Sequence, residues 1–260
     1  MSFRNGLYTL VLLLTVLLGW SCERNTLSIP VSPIQSGARI KLVHAAPDAP
    51  ALELAINGQK VSAGIPTGAS SISAGTGVPS SIAYGSTYPG SVSNYAVVPT
   101  GQVTAVLSTP AATTAAGMSP VATQMLTLDD SKYYSLLVLG TGAQPQVSLI
   151  NDDFSAANDP SKFYVRFINL IPGSTAYDLA LSSGTVLASN IGYQGVSPFI
   201  GVDVSNNASF VFRLASTTTN VTTALVFSSS TSGRVLTLVA QGVPGKTGAQ
   251  APRLISYVNR

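Results

Sequence analysis

The sequence is short of charged side chains, and this shortage excludes two broad classes of protein. Only 9% of its 260 residues are charged, whereas 45% are hydrophobic. A solvated helical protein would need Glu, Lys and Arg on its outer faces, so the composition favours sheets with Ser- and Thr-rich exposed faces. The formal charge of +3 arises from few charges, and no Lys/Arg cluster offers phosphate contacts, so nucleic acid is excluded as a partner.

The chain also has a single histidine, His44, and a single cysteine, Cys22. Structural zinc needs three or four His, Cys or carboxylate ligands, so a His/Cys zinc set is excluded. An internal disulfide is excluded as well. Catalysis by Ser or Cys would depend on His44 as the base, because Cys22 lies close to the N-terminus, away from the predicted domains. The Gly-x-Ser-x-Gly elbow of many hydrolases does not occur.

Residues 1–22 have the layout of an export signal, with one arginine before an apolar stretch. The stretch has about fourteen residues, fewer than the roughly twenty that span a bilayer. The segment resembles a bacterial lipoprotein signal, in which Cys22 is acylated, and Gly19 and Trp20 resemble the looser motifs of Bacteroidetes-type bacteria. An ordinary secreted protein with an unused thiol is the alternative. Residues 23–37 lack a periodic pattern, which predicts a tether.

From residue 38 onward the sequence has the period of β-strands. Polar and apolar residues alternate in RIKLVH, ALELAING, KYYSLLVLG and RVLTLVAQG, among other segments. Gly, Pro, Asn and Asp separate these segments at short intervals, as turns require. The pattern predicts an all-β chain of Ig-like antiparallel β-sandwiches.

An internal repeat predicts how these strands are divided between domains. Aligning two segments on a shared proline pairs residues of related type: Pro47 with Pro172, Lys41 with Arg166, and Glu53 with Asp178. A second match pairs KYYSLLVLG with GRVLTLVAQG, each ending in glycine. Two tandem β-sandwich domains are therefore predicted, at 38–151 and 163–260, joined by a linker at 152–162.

The segment HAAPDAP, which begins at His44, has two interpretations. In one, Asp48 orients His44 as a catalytic base. In the other, Asp48 closes a turn whose dihedral angles are fixed by Pro47 and Pro50, and His44 orders the end of the strand. The structural interpretation is favoured, because the second copy keeps the matching proline and lacks both polar groups.

Oxygen-bearing side chains are concentrated at the predicted linker, in NDDFSAANDP. Carboxylates such as Asp152, Asp153 and Asp159 are the ligands that Ca²⁺ prefers, although their spacing is not that of an EF-hand. Turn and capping roles explain the same residues. No cofactor is predicted, and calcium at the linker is the alternative.

The first copy carries an insert at 62–94 that is rich in Gly, Ser, Thr, Ala and Pro. Tyr84, Tyr88 and Tyr95 lie in or beside it. A row of exposed tyrosines would stack on sugar rings or anchor a protein partner. The alternative is that the three rings fix the insert to its own sandwich.

The segment ARIKLVHAAPDAPALELAING resembles the opening of the DUF4397 family. The residues that stand where the family pattern places them are Arg39, Val43, His44, Ala45, Pro47, Asp48, Ala49, Pro50, Asn57 and Gly58. The resemblance implies an exported β-sandwich domain, often in tandem and often on bacterial lipoproteins. The family has no established biochemical activity, so the resemblance bears on fold and location.

These observations predict a cell-envelope lipoprotein without enzymatic activity that acts as a binding, adhesion or structural module. Its lipid anchor would attach it to a membrane, the outer membrane being favoured, on the periplasmic face or the cell surface. The expected partners are the membrane and either a glycan or an envelope protein. A polysaccharide-binding accessory protein that uses the tyrosine-bearing loops of the first domain is the alternative, and a hydrolase is the least favoured function.

Overall fold

The computed structural model of the protein describes residues 36–62, 81–90, 93–110, 119–142, 144–173, 175–203, 208–228 and 233–260. The predicted signal segment with Cys22, nearly all of the tether and part of the 62–94 insert lie outside the described residues. Contacts join Ser36–Arg260 into one compact unit. In the described ranges, no helix has the length and apolar character needed to cross a membrane.

The described part of the chain is built from β-strands, as the alternating pattern predicts. They are β1 (Ala38–His44), β2 (Glu53–Ile56), β3 (Gln59–Lys60), β4 (Thr87–Tyr88), β5 (Ala96–Val98), β6 (Gly101–Ser108), β7 (Pro120–Leu128), β8 (Tyr133–Leu139), β9 (Gln146–Asn151), β10 (Lys162–Asn169), β11 (Tyr177–Leu181), β12 (Val186–Ile191), β13 (Ile200–Asp203), β14 (Ala208–Leu214), β15 (Leu225–Phe227), β16 (Val235–Gln241) and β17 (Arg253–Val258). A short 3₁₀ turn, Gly248–Gln250, precedes β17.

The strands form four sheets, two in each half of the compact unit. In the first half, outer sheet 1 has the order β3-β2-β6-β7, and inner sheet 1 has the order β4-β1-β8-β9, with β5 also on β1. In the second half, outer sheet 2 is β12-β11-β14-β15 and inner sheet 2 is β13-β10-β16-β17. The two halves share one topology, and the predicted all-β, sandwich-like fold is confirmed.

Each inner sheet contains one parallel pair among its antiparallel neighbours. Strand β1 runs parallel to β8, with Lys41 opposite Ser135. Strand β10 runs parallel to β16, with Arg166 opposite Thr237. The parallel pairs distinguish this fold from a purely antiparallel sandwich. They arise because, in each half, the chain forms the outer sheet before it returns to pair with the first strand of the inner sheet. Parallel strands of this kind are normally covered on both faces.

The cover on both faces comes mainly from three of the four apolar clusters among the described residues. One fills the space between outer and inner sheet 1, and a second fills the space between outer and inner sheet 2. The third joins the two inner sheets, so that the layers follow the order outer 1, inner 1, inner 2, outer 2. Strand β16 is buried at every residue, which explains why VLTLVAQ carries no charge and is apolar apart from Thr237 and Gln241.

Candidate functional site at the contact of the inner sheets

The inner sheets meet through an apolar patch contributed by both halves. Its buried members are Val43, Ala45, Leu137, Leu139, Ile168, Leu170, Val239 and Tyr257. The first four belong to the first half and the last four to the second. Burial of apolar area against a partner sheet is the main driving force for such a contact. The two sandwiches are therefore packed on each other rather than only connected by the chain.

Beside this patch lies a buried ion pair between the halves. Arg166 on β10 and Asp152 after β9 are 2% and 3% exposed, and the guanidinium donates to the carboxylate. The Nε atom of Arg166 also donates to Oγ1 of Thr237 at 2.9 Å. The Oγ atom of Ser135 donates to Oδ2 of Asp152 at 2.9 Å. A buried charge pair is tolerated only with such additional hydrogen bonds.

Hydroxyl and amide groups extend the ion pair into a network. Tyr95 donates to Oδ2 of Asp152 at 2.8 Å, and the side-chain amide of Asn259 donates to the Tyr95 hydroxyl at 2.8 Å. Thr237 donates to Oδ1 of Asn259 at 2.7 Å. The hydroxyls of Tyr257 and Ser135 are 2.8 Å apart. We call these residues, together with Lys41 and Arg166, the junction network.

Lys41 is the second buried cation of the junction network. Its ammonium donates to the Val258 carbonyl at 3.1 Å and lies 4.9 Å from the centroid of the Tyr95 ring. Burial lowers the pKa of Lys41 from 10.5 to about 8, against the opposing effect of the Asp152 carboxylate. Burial therefore destabilises the protonated, charged form of Lys41.

The junction network joins equivalent positions of the repeat. Lys41 and Arg166 are aligned in the sequence and occupy matching positions on the two parallel pairs. Asp152 is paired with Arg166 and also acts on Lys41 through its charge. The alignment in the sequence identifies the two cations as equivalent. It carries no signal that both lie in one network between the inner sheets.

His44 is fully buried at the end of β1, and its imidazole ring forms one hydrogen bond. Nε2 lies 2.9 Å from the Pro50 carbonyl, and Nδ1 has no hydrogen-bond partner among the described residues. Burial lowers the pKa of His44, with an opposing effect from the Pro50 carbonyl. Asp48 instead accepts from Gln250 at 3.0 Å and from the Gly142 N–H at 3.3 Å. Asp48 therefore links the two halves and does not orient His44.

The segment around Pro47 joins the same interface. The Gln250 amide donates to the Pro47 carbonyl at 3.1 Å. HAAPDAP thus connects the end of β1 with the 3₁₀ turn of the second half. This placement accords with a structural role for His44, Pro47, Asp48 and Pro50.

The three tyrosines predicted as a contact surface do not form an exposed row. Tyr88 donates to the Val61 carbonyl at 2.8 Å, and Tyr95 belongs to the junction network. Tyr84 packs the edge of its ring near His44, and the Arg253 guanidinium lies 5.2 Å from its centroid. The described residues therefore match the alternative, in which these rings fix the insert to the body.

The three linker aspartates are used separately. Asp152 is buried in the junction network, whereas Asp153 and Asp159 accept from the backbone N–H groups of Ser155 and Ser161, each at 2.9 Å. The N–H of Ser155 lowers the pKa of Asp153. The pKa of Asp159 is lowered mainly by the Ser161 hydroxyl, which donates at 2.6 Å, and further by the Ser161 N–H. In the described ranges, no group of three or more His, Cys, Asp or Glu side chains has the arrangement of a metal site. The three aspartates thus have hydrogen-bond partners in turns and in the junction network, and calcium binding at the linker stays a prediction.

A row of aromatic rings starts in the junction network and runs to the surface. The ring centroids are 5.1 Å apart for Tyr95 and Tyr133, 5.2 Å for Tyr133 and Phe154, and 5.7 Å for Phe154 and Phe199. The four rings come from the first half, the linker and the second half. Because they are far apart in sequence, no local pattern predicts the row.

Comparison with known proteins identifies a family for part of the chain. A family model described as "Domain of unknown function (DUF4397)" matches residues 38–172, slightly more than half of the chain. No curated protein matches. A solved structure, CBMbc (family CBM26) from Eubacterium rectale Amy13K in complex with maltoheptaose, is 12% identical. The match covers 85% of this chain and 95% of that chain, with a TM-score of 0.25. A TM-score this low says nothing about the ligands of this chain.

Proposed function

The chain belongs to the DUF4397 family, and we propose that it is a cell-envelope lipoprotein without enzymatic activity whose two fused sandwiches act as one rigid binding or structural module. The observation that carries the proposal is the buried ion pair of Arg166 and Asp152 between the inner sheets. Residues from both halves must meet before either charge is satisfied. The arrangement fixes the orientation of one sandwich on the other.

The contacts of the candidate reactive side chains support a function without catalysis. His44 bonds a backbone carbonyl in the interior, Asp48 bonds the opposite half, and Lys41 lies between aromatic rings. A general base must reach a proton of the substrate within hydrogen-bonding distance. His44 and Lys41 are buried with internal partners, and Asp48, although exposed, accepts hydrogen bonds from Gly142 and Gln250.

The membrane anchor is proposed from the sequence. Acylated Cys22 would hold the protein to a membrane leaflet, and the segment that follows would set the distance to the sandwiches. One acyl chain binds a membrane weakly and several bind firmly, so full lipoprotein processing is part of the proposal. The outer membrane, on its periplasmic face or at the cell surface, is the proposed location.

Fractionation of cells tests the proposal directly. The wild-type protein is expected in the membrane fraction, and the Cys22→Ala variant in the soluble fraction. A matched control is Ser21→Ala, which keeps the thiol and leaves the protein membrane-bound. Unchanged membrane association of the Cys22→Ala variant would rule out the anchor.

Binding to a polysaccharide is the second candidate function. The described positions of Tyr84, Tyr88 and Tyr95 argue against the tyrosine-bearing insert as its platform, because each ring packs on the body. The aromatic row that reaches the surface at the linker favours a different location.

A further inference from the structure

Two adjacent pockets flank the first residues of the linker. One has a volume of about 220 Å³ and is lined by Lys132, Tyr133 and Phe154, among others. The second has a volume of about 280 Å³ and includes Phe199. Both are also lined by Asn151 and Asp153, so the two pockets share these residues. We call the pair the linker groove.

Three half-buried rings line the linker groove: Tyr133, Phe154 and Phe199. Their planes are turned by 63° between the first two and by 53° between the last two. A guanidinium lies over each ring, with Arg39, Arg260 and Arg166 at 5.2, 5.6 and 4.8 Å from the respective centroids. These cation–π contacts hold the rings in place before any ligand arrives.

The polar groups of the linker groove suit hydroxyl groups. Asn151, Asp153 and Ser155 are exposed there and offer an amide, a carboxylate and a hydroxyl. The carboxylate of Asp153 is near the Lys132 ammonium. Planar amide and carboxylate groups pair well with neighbouring hydroxyls of one molecule.

The cations near the linker groove have partners of their own. Arg166 is paired with Asp152, Arg39 is near the Asp130 carboxylate, and the Arg260 guanidinium donates to the Ala157 carbonyl at 2.6 Å. The charged side chains that line the two pockets are Lys132, Arg166, Asp152 and Asp153, two of each sign. This balance of charge in the lining favours an uncharged ligand.

From this combination we propose that the linker groove binds a neutral oligosaccharide. A sugar ring has an apolar face of C–H groups and a rim of hydroxyls, which matches half-buried aromatic rings beside uncharged and acceptor groups. Two pockets suit consecutive sugar units, and the turned rings suit units that are not coplanar. The proposal rests on the proposed function in one respect, namely that the two halves stay packed.

The groove exists only because the two halves meet. Tyr133 and Asn151 come from the first half, Phe154 comes from the linker, and Phe199 comes from the second half. A single repeat would have part of the lining. Duplication followed by packing of the inner sheets thus creates a surface that neither copy has alone.

The test measures binding of the mature protein to a panel of hexaoses by calorimetry. The neutral probes are maltohexaose, cellohexaose, xylohexaose, mannohexaose and chitohexaose, and a galacturonic acid hexamer is the charged probe. At least one neutral probe is expected to bind. Binding of none of the neutral probes, or of the charged probe alone, would overturn the proposal.

Variants locate the binding site. Phe199→Leu removes a ring and keeps apolar volume, and Asn151→Ala removes an exposed amide; each is expected to weaken binding at least tenfold. Phe227→Leu removes a half-buried ring of outer sheet 2, outside the groove, and is the matched control, with a change below twofold. Unchanged binding in the two groove variants, with their thermal unfolding also unchanged, would overturn the assignment. Failure here leaves membrane attachment and joint unfolding of the halves unaffected, so the two proposals fail separately.

Discussion

The guanidinium of Arg166, in the second repeat, donates to the carboxylate of Asp152, which directly follows the last strand of the first repeat. Both side chains are buried, and their remaining hydrogen bonds go to hydroxyl groups of the two inner sheets. The pair lies between the sandwiches and not within either of them. Its energetic effect should therefore appear as coupling between the two halves.

Removing one member of this pair should strongly destabilise the protein. In Asp152→Asn the buried Arg166 charge loses its counter-ion, and a cost of about 3–5 kcal/mol in unfolding free energy is expected. Urea unfolding of the mature protein measures it. The control is Asp203→Asn, which breaks an exposed pair with Lys162 at 3.9 Å and should cost less than about 1 kcal/mol. Equal effects of the two substitutions would contradict the role of the buried pair.

The buried amine of Lys41 should make stability depend on alkaline pH. Its pKa is about 8 in the folded protein and 10.5 ordinarily, so between these values the unfolded chain binds the proton and the folded chain does not. Stability therefore rises with pH across this window through Lys41. Burial raises the pKa of the neighbouring Tyr95 and Tyr257, which keeps them neutral there.

The comparison with Lys41→Met isolates this effect. Unfolding free energies at pH 7.5, 8.5 and 9.5 should increase more steeply for the wild type than for the variant. Parallel curves for the two proteins would show that the folded protein keeps the ammonium charged.

His44 should have the corresponding effect at acidic pH. Burial lowers its pKa, so as pH falls below the ordinary value of 6.5 the unfolded chain takes up a proton that the folded chain resists. Wild-type stability should fall in this range more steeply than that of His44→Gln, whose amide can still donate to the Pro50 carbonyl. Thermal unfolding between pH 5 and 7 measures the difference, and identical slopes would argue for a charged or solvated imidazole.

Two equivalent glycines should differ in their tolerance of alanine. Gly140 and Gly242 both have positive φ, at +97° and +123°, so alanine is strained at either position. A Cβ at Gly242 would lie 2.6 Å from the Ala251 carbonyl oxygen, whereas at Gly140 the nearest atom is in Gln146 at 3.9 Å. Gly242→Ala should therefore cost about 1–3 kcal/mol more than Gly140→Ala in urea unfolding. Equal costs would mean that the turn before β17 relaxes.

The sequence predicts the strands and the all-β fold well, because alternation of polar and apolar residues depends on nearby residues. The alternation in RIKLVH and KYYSLLVLG predicts the strands. The alignment of Lys41 with Arg166 predicts that these residues occupy equivalent positions in the two inner sheets. The parallel pairing of β1 with β8 has no comparable signal, because about ninety residues separate the two strands along the chain.

The site escapes prediction for a related reason. Lys41 and Arg166 occur at strand positions that, in a separate sandwich, would face water. They are buried because a second sheet packs on that face of each inner sheet, and no local sequence pattern predicts this contact. The aromatic row of Tyr133, Phe154 and Phe199 likewise exists only after the halves meet.

Calorimetric unfolding of the mature protein tests the central claim that the halves form one rigid body. Because the junction network must break when either half opens, a single transition is expected, with a calorimetric enthalpy equal to the van't Hoff enthalpy. Asp152→Asn should separate this transition into two or broaden it. Two resolved transitions in the wild-type protein, unaffected by Asp152→Asn, would contradict the account.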